Sequence, residues 1–327
     1  MRFMNLSEIM DRSIDILRKN IKSIALFSFG YTVIEIIGII LVSIIISIFG
    51  AITVGIFHNV AFAAIIISVF ILFLAAFLIS YCIGIIRISS GEFTEEKIYA
   101  HTAIKASFKS LFKVYAIIII GTIALLPVLA AFGGLGYVLA NSFNINSINN
   151  ISNVNTVIGK GVVILIVFIL YILAAIFAVL AVLNWFLFSL HTLAIENIGV
   201  VNSIKRSFYL VRKDYLRILG ASILFTLTVT ALRLSVDLIL GTASSIIYLL
   251  LKFFSVKQDY IGFLSMIYNY TNWPLSIIVL MVITPINVIM LTMLYYNQRF
   301  KKEGYDLELR LREIELKNER EQVSETN

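Results

Sequence analysis

Glu35, Arg233, Asp237 and Asn287 are the residues of this sequence placed to do chemistry, because each lies inside a long apolar stretch. An ionisable side chain in hydrocarbon is costly, so such residues mark an ion or substrate pathway unless they pair with one another. Glu35 stands eleven residues past Ile24, about 16 Å into its stretch at 1.5 Å per residue. Arg233 and Asp237 are four apart and can pair along one helix face. Pro285, beside Thr284 and Asn287, frees a carbonyl and kinks its helix, and those polar neighbours can bond the freed group. Two readings follow: the four residues line a polar cavity, or they form a structural ion pair and interhelical hydrogen bonds.

Other chemistry is sparse. His58, His101 and His191 are far apart, and none belongs to an H-E-x-x-H pattern. Glu95-Glu96 resembles the acidic pair of some intramembrane proteases, but the arginine expected four residues on is missing. No phosphate-binding glycine loop is present, and Gly133, Gly134 and Gly136 read as helix close-packing residues. The single cysteine, Cys82, excludes an intramolecular disulfide and a zinc site of Cys ligands. The sequence therefore implies no catalytic set, no cofactor and no metal.

The elements that must position these residues are membrane spans. The chain is 60% hydrophobic and only 14% charged, with a mean hydropathy of +0.98; soluble chains are about one quarter charged. A hydrocarbon core about 30 Å thick takes roughly 20 helical residues to cross. Six runs qualify: Ile24–Phe49, Val60–Ile86, Val114–Ala140, Val162–Leu190, Leu216–Leu240 and Trp273–Tyr296. Lipid forces each to pair its backbone internally, so the fold class is an all-α integral membrane protein. The first run follows a polar, amphipathic segment without a small-residue cleavage site and reads as a retained span.

Of the 26 Lys and Arg residues, 22 fall in the N-terminal segment, two alternate connections and the tail. Only Lys160, Lys252 and Lys257 lie in the others. By the positive-inside rule both termini are cytoplasmic, in a multi-pass membrane protein. The net charge of +7 reads as basic loops facing anionic headgroups. No recognisable binding module supports nucleic acid as a partner. Among the outer connections, Asn141–Thr156 reads as a solvated loop, and Lys252–Asn272 as an interfacial one with Tyr260, Tyr268, Tyr270 and Trp273.

One apolar 4-3-4 pattern recurs three times: Met10, Ile14, Leu17, Ile21; Ile104, Phe108, Leu111, Tyr115; and Ile204, Phe208, Val211, Tyr215. Each copy has a serine (Ser13, Ser107, Ser207) and, six residues later, a lysine (Lys19, Lys113, Lys213). Such spacing makes an amphipathic helix that lies in the cytoplasmic interface and turns into the next span. Asn5 with Glu8 offers the first copy an N-terminal cap. These elements serve as structural elbows or as a surface for headgroups or a protein partner. The expected organisation is one membrane domain over 1–300, with parallel units of about 6–90, 98–195 and 198–300, and a charged helical tail over 301–327. Each unit is an in-plane helix and a two-span hairpin. Glu35 breaks the repeat, since the equivalent positions are Leu129 and Val229.

Three segments carry a resemblance to a known family: Leu6-Ser7-Glu8-Ile9-Met10-Asp11-Arg12; Ser203-Ile204-Lys205-Arg206-Ser207-Phe208 followed by Leu219-Gly220; and Leu294-Tyr295-Tyr296-Asn297-Gln298-Arg299-Phe300-Lys301-Lys302-Glu303-Gly304-Tyr305-Asp306-Leu307. The chain resembles the membrane domain of bacterial glycerophosphoryl diester phosphodiesterases, here a stand-alone member. The family more often has an acid where this chain has Asn297. The resemblance implies a membrane domain without the metal-dependent catalytic domain, and no catalytic residue of the family has a counterpart here. Three functions are expected to compete: a non-catalytic membrane-anchoring module that engages lipid or a protein partner; a small transporter or permease-like subunit with a polar site around Glu35; and, weakest, an enzyme acting on lipid headgroups.

Overall fold

The computed structural model describes residues 4–55, 60–94, 97–142, 154–253 and 259–305, with positions 307, 308, 311 and 314 of the tail. Eight helices are described: α1 (Leu6–Gly55), α2 (Val60–Thr94), α3 (Ala100–Ser142), α4 (Val154–Phe186), α5 (Ser189–Ile195), α6 (Val200–Arg212), α7 (Tyr215–Phe253) and α8 (Tyr260–Glu303). No strand occurs among the described residues, despite the wealth of Ile and Val. Five stretches are long and apolar enough to cross a membrane: Leu6–Gly55, Val60–Thr94, Ala100–Leu139, Val162–Ile195 and Tyr215–Phe253. At most 17% of each stretch's most apolar window is buried within the molecule. Apolar surface on that scale needs a covering medium. The expected sixth span, Trp273–Tyr296, lies within α8, and the side chains of Trp273, Leu275 and Ser276 are outside the described residues.

The local breaks follow from local chemistry. Asn20 leaves helical geometry (φ −108°, ψ 15°) and its Nδ2 donates to the Ile16 carbonyl at 3.1 Å, so α1 kinks where its apolar stretch begins. That bond gives the backbone an alternative to the helical ladder. At the third copy the chain breaks completely, at Lys213 and Asp214, and the Asp214 carbonyl then accepts the Ile218 N–H to open α7. The second copy differs from expectation: α3 runs unbroken through Lys113, so no separate in-plane helix precedes its apolar stretch. Between Ala100 and Val114 the sequence has no Gly, Pro, Asn or Asp, the residue types found at the other two breaks or able to force one. The aromatic connection also differs, since α8 already begins at Tyr260, with Asp259 at the N-cap position in extended conformation and without a side-chain capping bond. The solvated loop expected over 141–156 lies mostly outside the described residues, as does most of the charged tail.

The core sits at one end of the bundle, the end that carries most Lys and Arg. Ile9, Ile16, Ile24, Phe27 and Tyr31 of α1 meet Phe77, Tyr81, Ile85 and Ile88 of α2, Ala103 and Val114 of α3, Phe225 of α7, and Ile289, Met293, Tyr295 and Tyr296 of α8. α2 touches α1, α3, α5 and α8, which makes it central. The opposite halves of the helices are mostly exposed. Adjacent long helices still pack there, as at Phe49 on Phe70 and Tyr248 on Phe263.

Close approach in the core depends on Gly84. A Cβ there would lie 2.1 Å from Phe27 Cζ, and that ring is held between Tyr31 and Tyr81 at centroid distances of 5.5 and 5.4 Å. Overpacking a tight core costs about 1–3 kcal/mol. Gly84→Ala should therefore lower the thermal midpoint of the detergent-solubilised protein, read by intrinsic fluorescence. Gly121→Ala, whose Cβ would meet nothing within 4 Å, should not lower it.

Candidate functional site

The repeated serines occupy equivalent protein-facing positions. Ser13, Ser107 and Ser207 are all fully buried. Ser13 Oγ donates to the Ile9 carbonyl at 2.6 Å within its own helix. The Ser107 carbonyl accepts Ser80 Oγ of α2 at 2.7 Å. Ser207 Oγ donates to the Trp185 carbonyl at 2.7 Å and accepts the Phe188 N–H at 3.1 Å. The stripe that meets the protein is thus Ile9–Ser13–Ile16, Ala103–Ser107 and Ser203–Ser207–Leu210, one residue before the expected 4-3-4 stripe. The 4-3-4 stripe is split: Ile14, Ile21, Phe108 and Phe208 are exposed, while Leu17, Leu111 and Val211 are buried in the core. Each segment therefore has a packed stripe, an outward apolar stripe and a charged side. The cap expected at Asn5 is present, its N–H donating to the Glu8 carboxylate at 2.9 Å.

The four intramembrane candidates are not brought together. Glu35 is half-buried, and its electrostatic neighbours are Tyr31, Tyr81 and Cys82 on α1 and α2. Arg233 is exposed on α7 and pairs with neither Glu35 nor Asp237. Asp237 instead lines an apolar cleft of about 430 Å³ between α7 and α8, with Ser244 and Tyr268. Asn287 Oδ1 is buried and has no donor among the described residues. The reason is packing: α1 lies mainly against α2, α3 and α8, while α7 lies against α8, so Arg233 cannot turn toward Glu35. α8 continues as a helix through Pro285. Of the three glycines expected to allow close packing, only Gly136 does so, against Tyr171, whose hydroxyl donates to the Phe132 carbonyl at 2.6 Å.

The polar constellation the structure does assemble lies at the basic end. Arg206 Nε reaches both oxygens of Glu196 at 3.2 Å, and its Nη2 reaches Glu303 Oε1 at 2.7 Å. Arg299 Nε donates to Glu303 Oε2 at 3.1 Å, with its guanidinium 3.7 Å from the centre of the Tyr305 ring. Tyr295 donates its hydroxyl to Glu196 at 2.6 Å. Both ring nitrogens of the buried His191, which stacks on Tyr295, are without partners among the described residues. Gly304, at φ 63°, closes α8 in the left-handed conformation that glycine adopts freely, and brings Tyr305 back onto Phe300 and Tyr296. Sequence reasoning missed the roles of Glu196, Arg206, Arg299, Glu303 and His191. A legible signal was the Arg299–Glu303 spacing of four; the contacts of Arg299 with Glu196 and of Arg206 with Glu303 join elements far apart in sequence.

Two pockets at this end differ in sign. One, of about 410 Å³, is lined by Glu8, Asp11, Asp15 and Glu92 with Arg12 and Lys19. There Lys19 is neutralised by Glu92 at 2.6 Å. The other, of about 590 Å³, is lined by Tyr209, Arg212, Lys213, Asp214, Lys301 and Lys302. Burial is the first cause pushing the Lys302 ammonium below its ordinary range; Asp214 opposes this, and Lys301 and Lys213 add to it. No group of three His, Cys, Asp or Glu residues among the described residues is placed to hold a metal ion. His101 is exposed, while His58 and Glu95-Glu96 fall outside the described residues.

Fold and site together define an all-helical chain with five helices long and apolar enough to cross a membrane, closed at one end by a charged, aromatic knot. No family model, curated protein or solved structure matches it.

Asn297 joins this knot to the N-terminus. Its Nδ2 donates to the Met4 carbonyl and its Oδ1 accepts the Met4 N–H, both at 3.0 Å. A carboxylate can only accept, so Asn297→Asp loses one bond and faces a carbonyl with negative charge. The expected cost is about 1–3 kcal/mol for the unmet buried group, read as a lower thermal midpoint. Asn202→Asp, on the exposed side of α6, should leave the midpoint unchanged.

Proposed function

We propose that the chain is a non-catalytic, multi-pass membrane module of the bacterial plasma membrane. Six spans form three hairpins, with both termini cytoplasmic, and the packed basic end is a platform for anionic headgroups and a protein partner. The observation that carries this reading is one-sidedness. Packing, ion pairs and basic residues gather at one end, while the opposite halves of the helices expose long apolar faces. Outward Ile14, Phe108 and Phe208 beside exposed Arg18, Lys109 and Lys205 suit a bilayer interface. The equivalent burial of Ser13, Ser107 and Ser207 supports three related units. In this reading the chain acts like the membrane domain of the glycerophosphoryl diester phosphodiesterases, as an anchor. Orientation is tested with single cysteines in a Cys82→Ala background. An impermeant maleimide should label Asn141→Cys on intact cells, and Asp15→Cys and Lys205→Cys only after permeabilisation. The reverse pattern overturns the orientation.

A second reading is supported by Glu35, a half-buried carboxylate within an apolar run that no hydrogen bond or ion pair satisfies among the described residues. A transporter subunit would use it to carry a proton or bind a cation. Glu35→Gln should then abolish flux in a vesicle assay while the protein accumulates normally; wild-type flux removes this reading.

A further inference from the structure

We propose that the pocket between the α6–α7 corner and the end of α8 is a discrete site for the phosphate-bearing headgroup of an anionic phospholipid, gripped by Arg212 and Lys213. The inference rests on the headgroup-binding platform proposed above and narrows it to one place. The pocket is lined by four cations and a single carboxylate. Two of the cations are already engaged. Lys301 pairs with Asp214 at 2.5 Å, and Lys302 donates to the carbonyls of Tyr209 and Leu210 at 3.1 and 2.7 Å. Those carbonyls belong to the last turn of α6 and have no helical partner of their own, so Lys302 serves as a cap and fixes the pocket wall. Arg212 and Lys213 remain exposed and make no side-chain hydrogen bond or ion pair among the described residues. A planar fork beside a flexible ammonium is a pairing suited to phosphate oxygens.

The lipid source, in preference to a soluble phosphate, follows from what borders the site. Leu216 opens α7 two residues beyond Asp214 and is 74% exposed, and Phe208 and Tyr209 are exposed on the last turns of α6. Acyl chains would find an apolar shelf immediately beside the basic pocket. Basic pockets at the cytoplasmic ends of spans are the expected location for anionic headgroups. The first repeat supplies an internal control: its equivalent lysine, Lys19, sits in a mainly acidic pocket and is paired with Glu92.

The test uses the full chain in phosphatidylcholine nanodiscs, titrated with phosphatidylglycerol and read by native mass spectrometry. The wild type should bind phosphatidylglycerol saturably. Arg212→Gln/Lys213→Gln should weaken binding about 30-fold, taking roughly 1 kcal/mol per lost cation. Lys19→Gln should leave it unchanged, and the charge-preserving Arg212→Lys/Lys213→Arg should retain most of it. Unaltered thermal midpoints identify variants that fold. If Lys19→Gln weakens binding as much as the double variant, the attraction is diffuse, and the discrete site is overturned while the platform survives. If the wild type does not discriminate phosphatidylglycerol from phosphatidylcholine, the platform itself fails. If millimolar inorganic phosphate displaces the lipid, the site takes free phosphate and the lipid assignment is overturned.

Discussion

Arg206 is the interaction on which the rest of the basic end depends. Its guanidinium joins Glu196, just beyond α5, to Glu303, at the end of α8. Charge-assisted bonds of this kind are about twice as strong as neutral ones, and here they are partly shielded, with Glu196 and Glu303 each only 17% exposed. Because α8 also holds Met4 through Asn297, the two ends of the described chain and the α5–α6 corner converge on one helix terminus. The far halves of the long helices can then splay without separating at this end.

That convergence explains why small and polar residues concentrate where they do. Lipid provides little hydrophobic drive for one helix to leave it for another, so packing and interhelical hydrogen bonds must hold spans together. The Ser80–Ser107 bond, the Ser28–Tyr81 bond at 2.7 Å and the contact of Gly84 with Phe27 all lie toward the basic end. The far halves hold few such contacts. Their serines and threonines, such as Ser68, Thr228 and Thr230, bond back to their own helices instead.

The helices were legible because continuous apolar runs admit one solution in hydrocarbon, but most of them run well past the expected limits, as α8 does from Tyr260 to Glu303. The repeat was legible as a spacing, but its protein-facing stripe was displaced by one residue. Hydrophobicity marks what leaves water, and in a membrane that includes the face that meets lipid; Ser13 and Ser207 show that the face meeting protein is the smaller and more polar one. The elbows were harder. A kink at Asn20 and a break at Asp214 fall at an Asn and an Asp, whereas α3 has neither residue type before its apolar stretch and continues as one helix. The polar constellation around Glu35 did not form, because sequence depth says nothing of which way α7 turns its Arg233.

Repetition with divergence gives the basic end its chemical asymmetry. Lys19 and Lys213 occupy the same place in the pattern, yet one faces Glu92 and the other stands beside Arg212, Lys301 and Lys302. The difference lies in the partner each segment meets. The first copy packs near the end of α2, which supplies Glu92; the third meets the end of α8, which supplies two lysines. One of those, Lys302, is tied to α6 carbonyls, so the helix that closes the fold also builds the wall of the basic pocket. A charge introduced to terminate α6 thereby leaves its neighbours unneutralised at the membrane boundary. In the site proposed there, the anions that balance them are phospholipid headgroups.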